Sequence, residues 1–296
     1  MKVTLWGTRG SIPSPSTPFF STSIFGGDTT CVSVEAGNIF IILDAGSGIR
    51  RLGHEMARTG KTQSTLFFTH VHWDHIQGFP FFLPAFIPGN RFDLYGPLQK
   101  SGPSSVGKVL ETTLRGQQEF LTFPVQLTEM AAEMHFHDID PAKPIVLKNK
   151  DHTLQITSAP LIHPGGAFGY RIEERIRGKK QRSVLAFVTD TEHLSEPNPH
   201  VQLLMKNADL AIYDAQFTDD EYSGKHGMSR IGWGHSTWTM GLREATEAGA
   251  KHLVLTHHDP MHDDAFIKAL EKAAAREGRK QGVKITAARQ FTEYTI

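Results

Sequence analysis

Short apolar runs rich in β-branched and aromatic residues alternate with longer amphipathic segments along the whole chain. Residues 3–6, 31–35, 39–43 and 66–69 have strand composition and are bounded by Gly, Asp or Thr. A second group, 154–161, 168–172 and 184–188, brackets a charged, Gly-containing hairpin tip at 173–182, and 211–213 and 252–255 add two further strands. Helical composition marks 49–57, 237–248 and, most clearly, 266–277. Strands lead and helices are interspersed in both halves, with no linker or repeat dividing them. The pattern therefore predicts a layered α/β (α+β) fold with two sheets, as a single domain over residues 1–296. Two stretches resist assignment, the Pro/Ser-rich 11–23 and 100–142. A loop as long as 11–23 inside a compact domain is more often functional than incidental.

Composition narrows the function classes. In 296 residues, 39% hydrophobic and 21% charged side chains are ordinary for a globular protein that buries a substantial core. With 31 Lys+Arg against 31 Asp+Glu the net charge is zero, so no overall field captures polyanions, and nucleic acid is not an expected partner. The one cysteine, Cys31, excludes an intrachain disulfide framework and any cysteine-rich zinc module, and reads as a small buried hydrophobe. The N-terminal MKVTLWGTRG has no apolar signal region, and the most apolar stretch, 79–87, is short and broken by Pro80 and Pro84. A cytoplasmic protein without a membrane partner is the expectation. The 16 histidines stand out, because any metal held here must be bound by imidazole and carboxylate.

The candidate chemistry is concentrated in His70-Val71-His72-Trp73-Asp74-His75, directly after the apolar run 66–68. At a strand end His70 and His72, two apart, point the same way, while Asp74 and His75 turn back as the next element begins. Four metal-competent side chains converging at the mouth of a strand can hold two cations. His163, Asp190 and His257 each lie at the end of another predicted strand.

His-x-His-x-Asp-His after a strand resembles the signature of the metallo-β-lactamase superfamily, and further segments follow in that superfamily's order. Leu43-Asp44-Ala45-Gly46 is similar to its first motif, a strand ending in a buried Asp, and His163, Asp190 and His257 match its later ligands. The resemblance implies an αββα sandwich of two mixed sheets flanked by helices, with metals at one edge. It implies His70, His72 and His163 on one ion, Asp74, His75 and His257 on the other, and Asp190 shared. A nitrogen and oxygen donor set without thiolate suits zinc, with manganese and iron as alternatives. Two such ions activate a bridging water as the attacking hydroxide and neutralise charge on the reacting oxygens, which makes a hydrolase with Asp74 among its catalytic groups.

Asp214, directly after 211–213, and His235, in Gly234-His235-Ser236-Thr237, resemble the phosphodiesterase branch, which includes ribonuclease Z and cyclic-nucleotide phosphodiesterases. There the histidine contacts the phosphate and an acidic partner holds it, so His235 is the implied proton donor to the leaving oxygen and Asp214 its carboxylate. Ser236 is a candidate cap for the helix that follows. Tyr95-Gly96-Pro97 also resembles a strand end of this branch. Three departures bear on substrate. Ribonuclease Z carries a long tRNA-binding arm between the positions of His163 and Asp190, where this chain has room for one hairpin. Trp73 occupies a position that is small in ribonuclease Z, and the charge balance is neutral. The basic hairpin residues Arg175, Arg177, Lys179, Lys180 and Arg182, beside Glu173 and Glu174, read as a solvated turn.

Gly7-Thr8-Arg9-Gly10-Ser11 and His163-Pro164-Gly165-Gly166 resemble compact bacterial cyclic-nucleotide phosphodiesterases. The resulting expectation is hydrolysis of 3′,5′-cyclic nucleotides to monophosphates by a homodimer, with loop 11–23 closing over the substrate. The alternatives are tRNA 3′ processing, cleavage of another cyclic phosphate or small ester, and a non-catalytic metal-stabilised nucleotide-binding module. His135, His137 and His193 read as surface residues, His258 as a support behind the ligand His257 or a bystander to it, and 79–87 as core, pocket lining or dimer contact.

Overall fold

The structure, a computed structural model, describes residues 1–97 and 109–296. The strands, in chain order, are β1 (Lys2–Gly7), β2 (Cys31–Ala36), β3 (Ile39–Leu43), β4 (Gln63–Phe67), β5 (Arg91–Pro97), β6 (Glu133–Ile139), β7 (Ile145–Lys148), β8 (His152–Leu161), β9 (Ala167–Ile176), β10 (Arg182–Val188), β11 (Leu210–Asp214), β12 (His252–Thr256), β13 (Lys284–Ala287) and β14 (Glu293–Thr295). The helices are α1 (Ile49–Thr59), α2 (Trp73–Ile76), α3 (Val109–Gln117), α4 (Pro199–Met205), α5 (Asp219–Ser223), α6 (Trp238–Ala248) and α7 (Asp264–Lys280). One sheet runs β14-β1-β2-β3-β4-β5-β6 and the other β13-β12-β11-β10-β9-β8-β7. Both are mixed in the same way: β14 to β3 pair antiparallel and β3 to β6 parallel, while β7 to β10 pair antiparallel and β10 to β13 parallel.

The central strands read as unbroken apolar runs because both their faces are covered. In β10, Val184, Ala186 and Val188 pack in an outer layer with residues of α4 and α6, while Leu185 and Phe187 point into the layer between the sheets. In β3, Phe40 and Ile42 pack with α1 and the turns at 79–86, while Ile41 and Leu43 face the same middle layer. Three apolar layers between helices, sheet, sheet and helices make an αββα sandwich, as the resemblance implies. No helix among the described residues is long and apolar enough to cross a membrane.

Several elements differ from the sequence reading for identifiable reasons. The run expected at 66–69 leaves the ladder at β4's end, Phe67, because the Thr69 amide donates to the Asp44 carboxylate at 2.8 Å rather than to a neighbouring strand. His70 and His72 therefore sit in a loop beyond the strand. The charged residues 173–176 continue β9, since Glu173 is neutralised by Arg171 and Arg182, and Glu174 by the N-terminal amine and His152. Only 177–181 form the turn. Of the unassigned 100–142, residues before 109 lie outside the described set, and the rest forms α3, a short turn and β6. Half-exposed His135 and His137 pair with Glu133 and Asp93, as expected of surface positions. The stretch 79–87 makes two tight turns that bury Phe79, Phe82 and Ala85 and leave Phe81 exposed.

His252, at the start of β12, bonds Thr286 at 2.8 Å. Burial, with Lys284 nearby, pushes its imidazole down to about 4 from an ordinary 6.5. Below pH 6.5 the unfolded chain binds a proton that the folded protein refuses, so stability falls as pH drops from about 6.5 to about 4. His252→Gln is expected to flatten that part of the stability profile. Urea midpoints at pH 7.5 and pH 5 check it, and an unchanged difference between the two contradicts it.

Candidate metal centre and active site

The carboxyl ends of the parallel strands of both sheets meet at one edge, where open α/β sheets place their ligand sites. Asp44 follows β3, His70 follows β4, Asp190 follows β10, Asp214 ends β11, and His257 follows β12. His163 follows β8, and His72, Asp74 and His75 lie at the start of α2. Ser11, Asp44, Asp190 and His257 all carry left-handed φ angles, of 61°, 59°, 57° and 61°. Among the described non-glycine residues only Asn207 and Phe291 share that conformation. Each such position costs energy that the surrounding structure must offset, and such strain clusters at functional sites.

Two groups of donor atoms face each other across Asp190. His70, His72 and His163 form one, with the His72 Nδ1 3.0 Å from the His163 Nε2. Asp74, His75, Asp190 and His257 form the other, all four buried. Asp190 Oδ1 lies 3.3 Å from both His75 Nε2 and His257 Nε2, and Asp190 Oδ2 lies 3.5 Å from His70 Nε2 and 3.9 Å from His163 Nε2. Asp74 Oδ2 closes the second group at 3.1 Å from His257 Nε2 and 3.4 Å from His75 Nε2.

The outer nitrogens of four imidazoles are committed elsewhere, which turns their Nε2 atoms inward. His75 Nδ1–H donates to Asp44 at 2.9 Å, and His163 Nδ1–H donates to the Gly234 carbonyl at 2.9 Å. His257 Nδ1–H donates to Gln216 Oε1 at 3.1 Å. The Thr69 hydroxyl donates to Asp44 at 2.9 Å, so at 3.0 Å it accepts from His70 Nδ1–H. Fixing the tautomer of an imidazole in this way is what metal-binding histidines require. Ser11 contributes its backbone amide, which donates to Asp74 Oδ2 at 2.8 Å.

Electrostatics test whether the donor set fits cations. Burial alone would push the Asp190 carboxyl up, yet His257, His75 and His70 hold it well below the usual carboxylate range, and Asp74 behaves likewise beside His75 and His257. Burial works against charge on His257, but Asp190 and Asp74 push it up to about 9, and His75 is raised too. Burial keeps His70, His72 and His163 below the ordinary histidine value. One group thus offers neutral imidazoles, and the other holds protons that balance buried carboxylates where a cation would do the same. The His70 Nε2, buried without a hydrogen-bond partner, points to a ligand there. The residues fit divalent metal ions.

Beside these groups, His235 Nδ1–H donates to the fully buried Asp214 at 2.9 Å, and its ring stacks on His257 with centroids 4.9 Å apart. Asp214 also accepts from the amides of Thr191 and Gln216. The preceding Gly234 has φ of +82°, and a Cβ there would lie 2.3 Å from His163 Nδ1, so only glycine fits between the two histidines. Thr237, not Ser236, caps α6, accepting from the Met240 amide. Ser236 instead meets the Tyr213 hydroxyl and His193. His193 is thus half-buried against Tyr222 rather than a free surface residue, because the loop carrying His235 folds over it. His258 is buried, and its Nε2–H donates to the Ala288 carbonyl at 3.0 Å. Trp73 is 82% exposed at the rim. Loop 11–23 is anchored by Ser21, and by Ile24 and Phe25 just beyond it, on the Asp264 carboxylate, with Phe19 fully exposed.

The sequence reading missed Ser11 as a partner of Asp74, Gln216 as a partner of His257, and Glu192, whose carboxylate accepts from the Gly232 and Gly234 amides. The first works through its main chain, and the other two are residue types without a motif of their own.

Comparison with known proteins agrees with this geometry. Residues 40–258 match the family described as beta-lactamase superfamily domain. Ribonuclease Z of Myxococcus xanthus is 28% identical over 275 residues, covering 82% of this chain and 85% of that protein. The metallo-beta-lactamase fold protein YhfI from Bacillus subtilis superposes with a TM-score of 0.66 at 19% identity, covering 99% of this chain and 98% of that one. The short form of human tRNase Z superposes with a TM-score of 0.61 at 19% identity, covering 100% and 99%. The chain belongs to the metallo-β-lactamase superfamily, in its ribonuclease Z and phosphodiesterase branch.

Proposed function

We propose that the Asp190-centred donor groups and the Asp214–His235 pair together hydrolyse a phosphodiester. The enzyme is a metal-dependent phosphoric diester hydrolase. The observation that carries its mechanism is the position of His235, locked on Asp214 at 2.9 Å and stacked on His257 at the edge of the donor groups. His70, His72 and His163 would hold one divalent ion and Asp74, His75 and His257 a second, with Asp190 between them. Zinc suits this nitrogen and oxygen set, with manganese and iron as alternatives. When bound, such ions supply Lewis acidity that neutralises charge on phosphoryl oxygens and acidifies water. The chain's own part is to orient those ligands and to manage one proton. Asp214 holds the His235 imidazole by Nδ1, leaving Nε2 free to protonate the departing oxygen.

RNA 3′ ends are the substrate class that the ribonuclease Z relatives support, ahead of the cyclic nucleotides expected from sequence. The same relatives weigh against excluding nucleic acid as a partner. A 3′,5′-cyclic nucleotide remains a second reading on one observation, the β9–β10 connection of only residues 177–181, which leaves no arm for gripping a tRNA. Organisation of the chain as a single domain, a homodimeric state and a cytoplasmic location complete the proposal.

His72→Ala and Asp190→Ala are each expected to lose metal and activity together. His235→Ala should keep its metal while kcat falls by about 10²–10⁴-fold. Metal analysis alongside steady-state kinetics on bis(p-nitrophenyl) phosphate checks both statements, and a fully active His235→Ala refutes the proton-donor role. For substrate, the metal-loaded enzyme is assayed against a precursor tRNA, 3′,5′-cyclic AMP and GMP, and a 2′,3′-cyclic nucleotide. Trimming of the tRNA is the expected result. Turnover confined to cyclic nucleotides selects the second reading, and no turnover of any diester above free metal overturns the function.

A further inference from the structure

Between Asp190 and the helix that follows, Glu192 has no part in the chemistry described so far. Its backbone amide donates to the Ile162 carbonyl at 2.7 Å, immediately before His163. Its carboxylate is fully engaged. Oε1 accepts from the Tyr222 hydroxyl at 2.6 Å and from the Gly232 amide at 2.7 Å, and Oε2 accepts from the Gly234 amide at 3.0 Å. Hydrogen bonds to an ionised acceptor are about twice as strong as neutral ones. Tyr222 lies on α5 and Gly232 and Gly234 at the far end of the loop, so one side chain clasps both ends of segment 222–234. The loop's middle adds its own ties, with the Arg230 amide and the Ser229 hydroxyl both donating to the Tyr222 carbonyl.

The clasp bears on the candidate site through a single residue, Gly234. The Gly234 residue whose N–H meets Glu192 also presents the carbonyl that accepts from His163 Nδ1–H at 2.9 Å. The next residue is His235, on Asp214. Gly232 and Gly234 have φ of +86° and +82°, a backbone that other residues rarely adopt, so external bonds must hold it in register.

We propose that Glu192 is a positioning residue for the metal centre: by clasping segment 222–234 it aims the Gly234 carbonyl at His163 and thereby turns the His163 Nε2 inward. The inference rests on the reading of His163 as a metal ligand. It predicts that Glu192 governs metal affinity through His163, and the position of His235 as well.

The test is zinc affinity by competition with a chromophoric chelator, without any substrate, together with the thermal midpoint of the chelated protein. Glu192→Ala is expected to weaken the most affected zinc equivalent by about 10–100-fold, the scale for losing a partner that orients a ligand. The chelated protein should keep its thermal midpoint within a few degrees. Glu192→Gln, which retains one acceptor oxygen, should fall between wild type and Glu192→Ala. In a His163→Ala background, Glu192→Ala should add less than about threefold, because coupled residues are not additive. Should Glu192→Ala fail to fold, Tyr222→Phe removes one of the three bonds without touching the loop backbone and should shift zinc affinity the same way by a smaller factor. Wild-type zinc affinity in a folded Glu192→Ala, or an equal loss with and without His163, overturns the proposal. A protein that binds zinc as described but turns over no diester would contradict the proposed function and leave this inference standing.

Discussion

A buried carboxylate stays ionised only if positive charge or hydrogen-bond donors surround it, and Asp190 is where this chain meets that constraint most severely. Its two oxygens face four imidazole Nε2 atoms at 3.3–3.9 Å, with Asp74 buried close by. The surrounding architecture provides for that concentration of charge. Of those four, burial holds the His70 and His163 imidazoles below the ordinary histidine value, while the buried carboxylates push His75 and His257 up. Removing one member of such a set leaves an uncompensated buried charge, which is why the groups around Asp190 act as a unit.

The sandwich makes this arrangement affordable by dividing the work between its sheets. Asp44, His70 and the start of α2 come from one sheet, and His163, Asp190, Asp214 and His257 from the other. The middle apolar layer, including Phe67, Tyr170, Phe187 and Ile212, holds the two sets in register. Strand ends are also where the chain can adopt left-handed backbone, as at Asp44, Asp190 and His257, because no ladder bond is lost there. Asp44 shows the economy of the design: one carboxylate ends the ladder at Thr69 and orients His75 directly and His70 through the Thr69 hydroxyl.

Much of this was legible in the sequence because candidate ligands are polar residues that interrupt apolar runs. His70, Asp190 and His257 each follow such a run, and their side chains do meet. Core strands covered on both faces, such as 184–188, declare themselves by composition. Edge elements do not: β7 is four residues long and β6 is half-exposed, so neither carries a period that stands out. The strand end at Phe67 was hidden because Phe68 and Thr69 have strand composition and a side chain 25 positions away, Asp44, decides where pairing stops. Partners such as the Ser11 amide and the Gly234 carbonyl are main-chain atoms, invisible to any residue pattern. A zero net charge, finally, is silent about local surfaces.

The central claim, that the groups on either side of Asp190 are one metal centre, is most directly tested by anomalous diffraction from crystals grown with zinc. The account predicts two peaks, one among His70, His72 and His163 and one among Asp74, His75 and His257, with Asp190 between them. A peak on the Asp214–His235 pair, or none at either donor group, would contradict it.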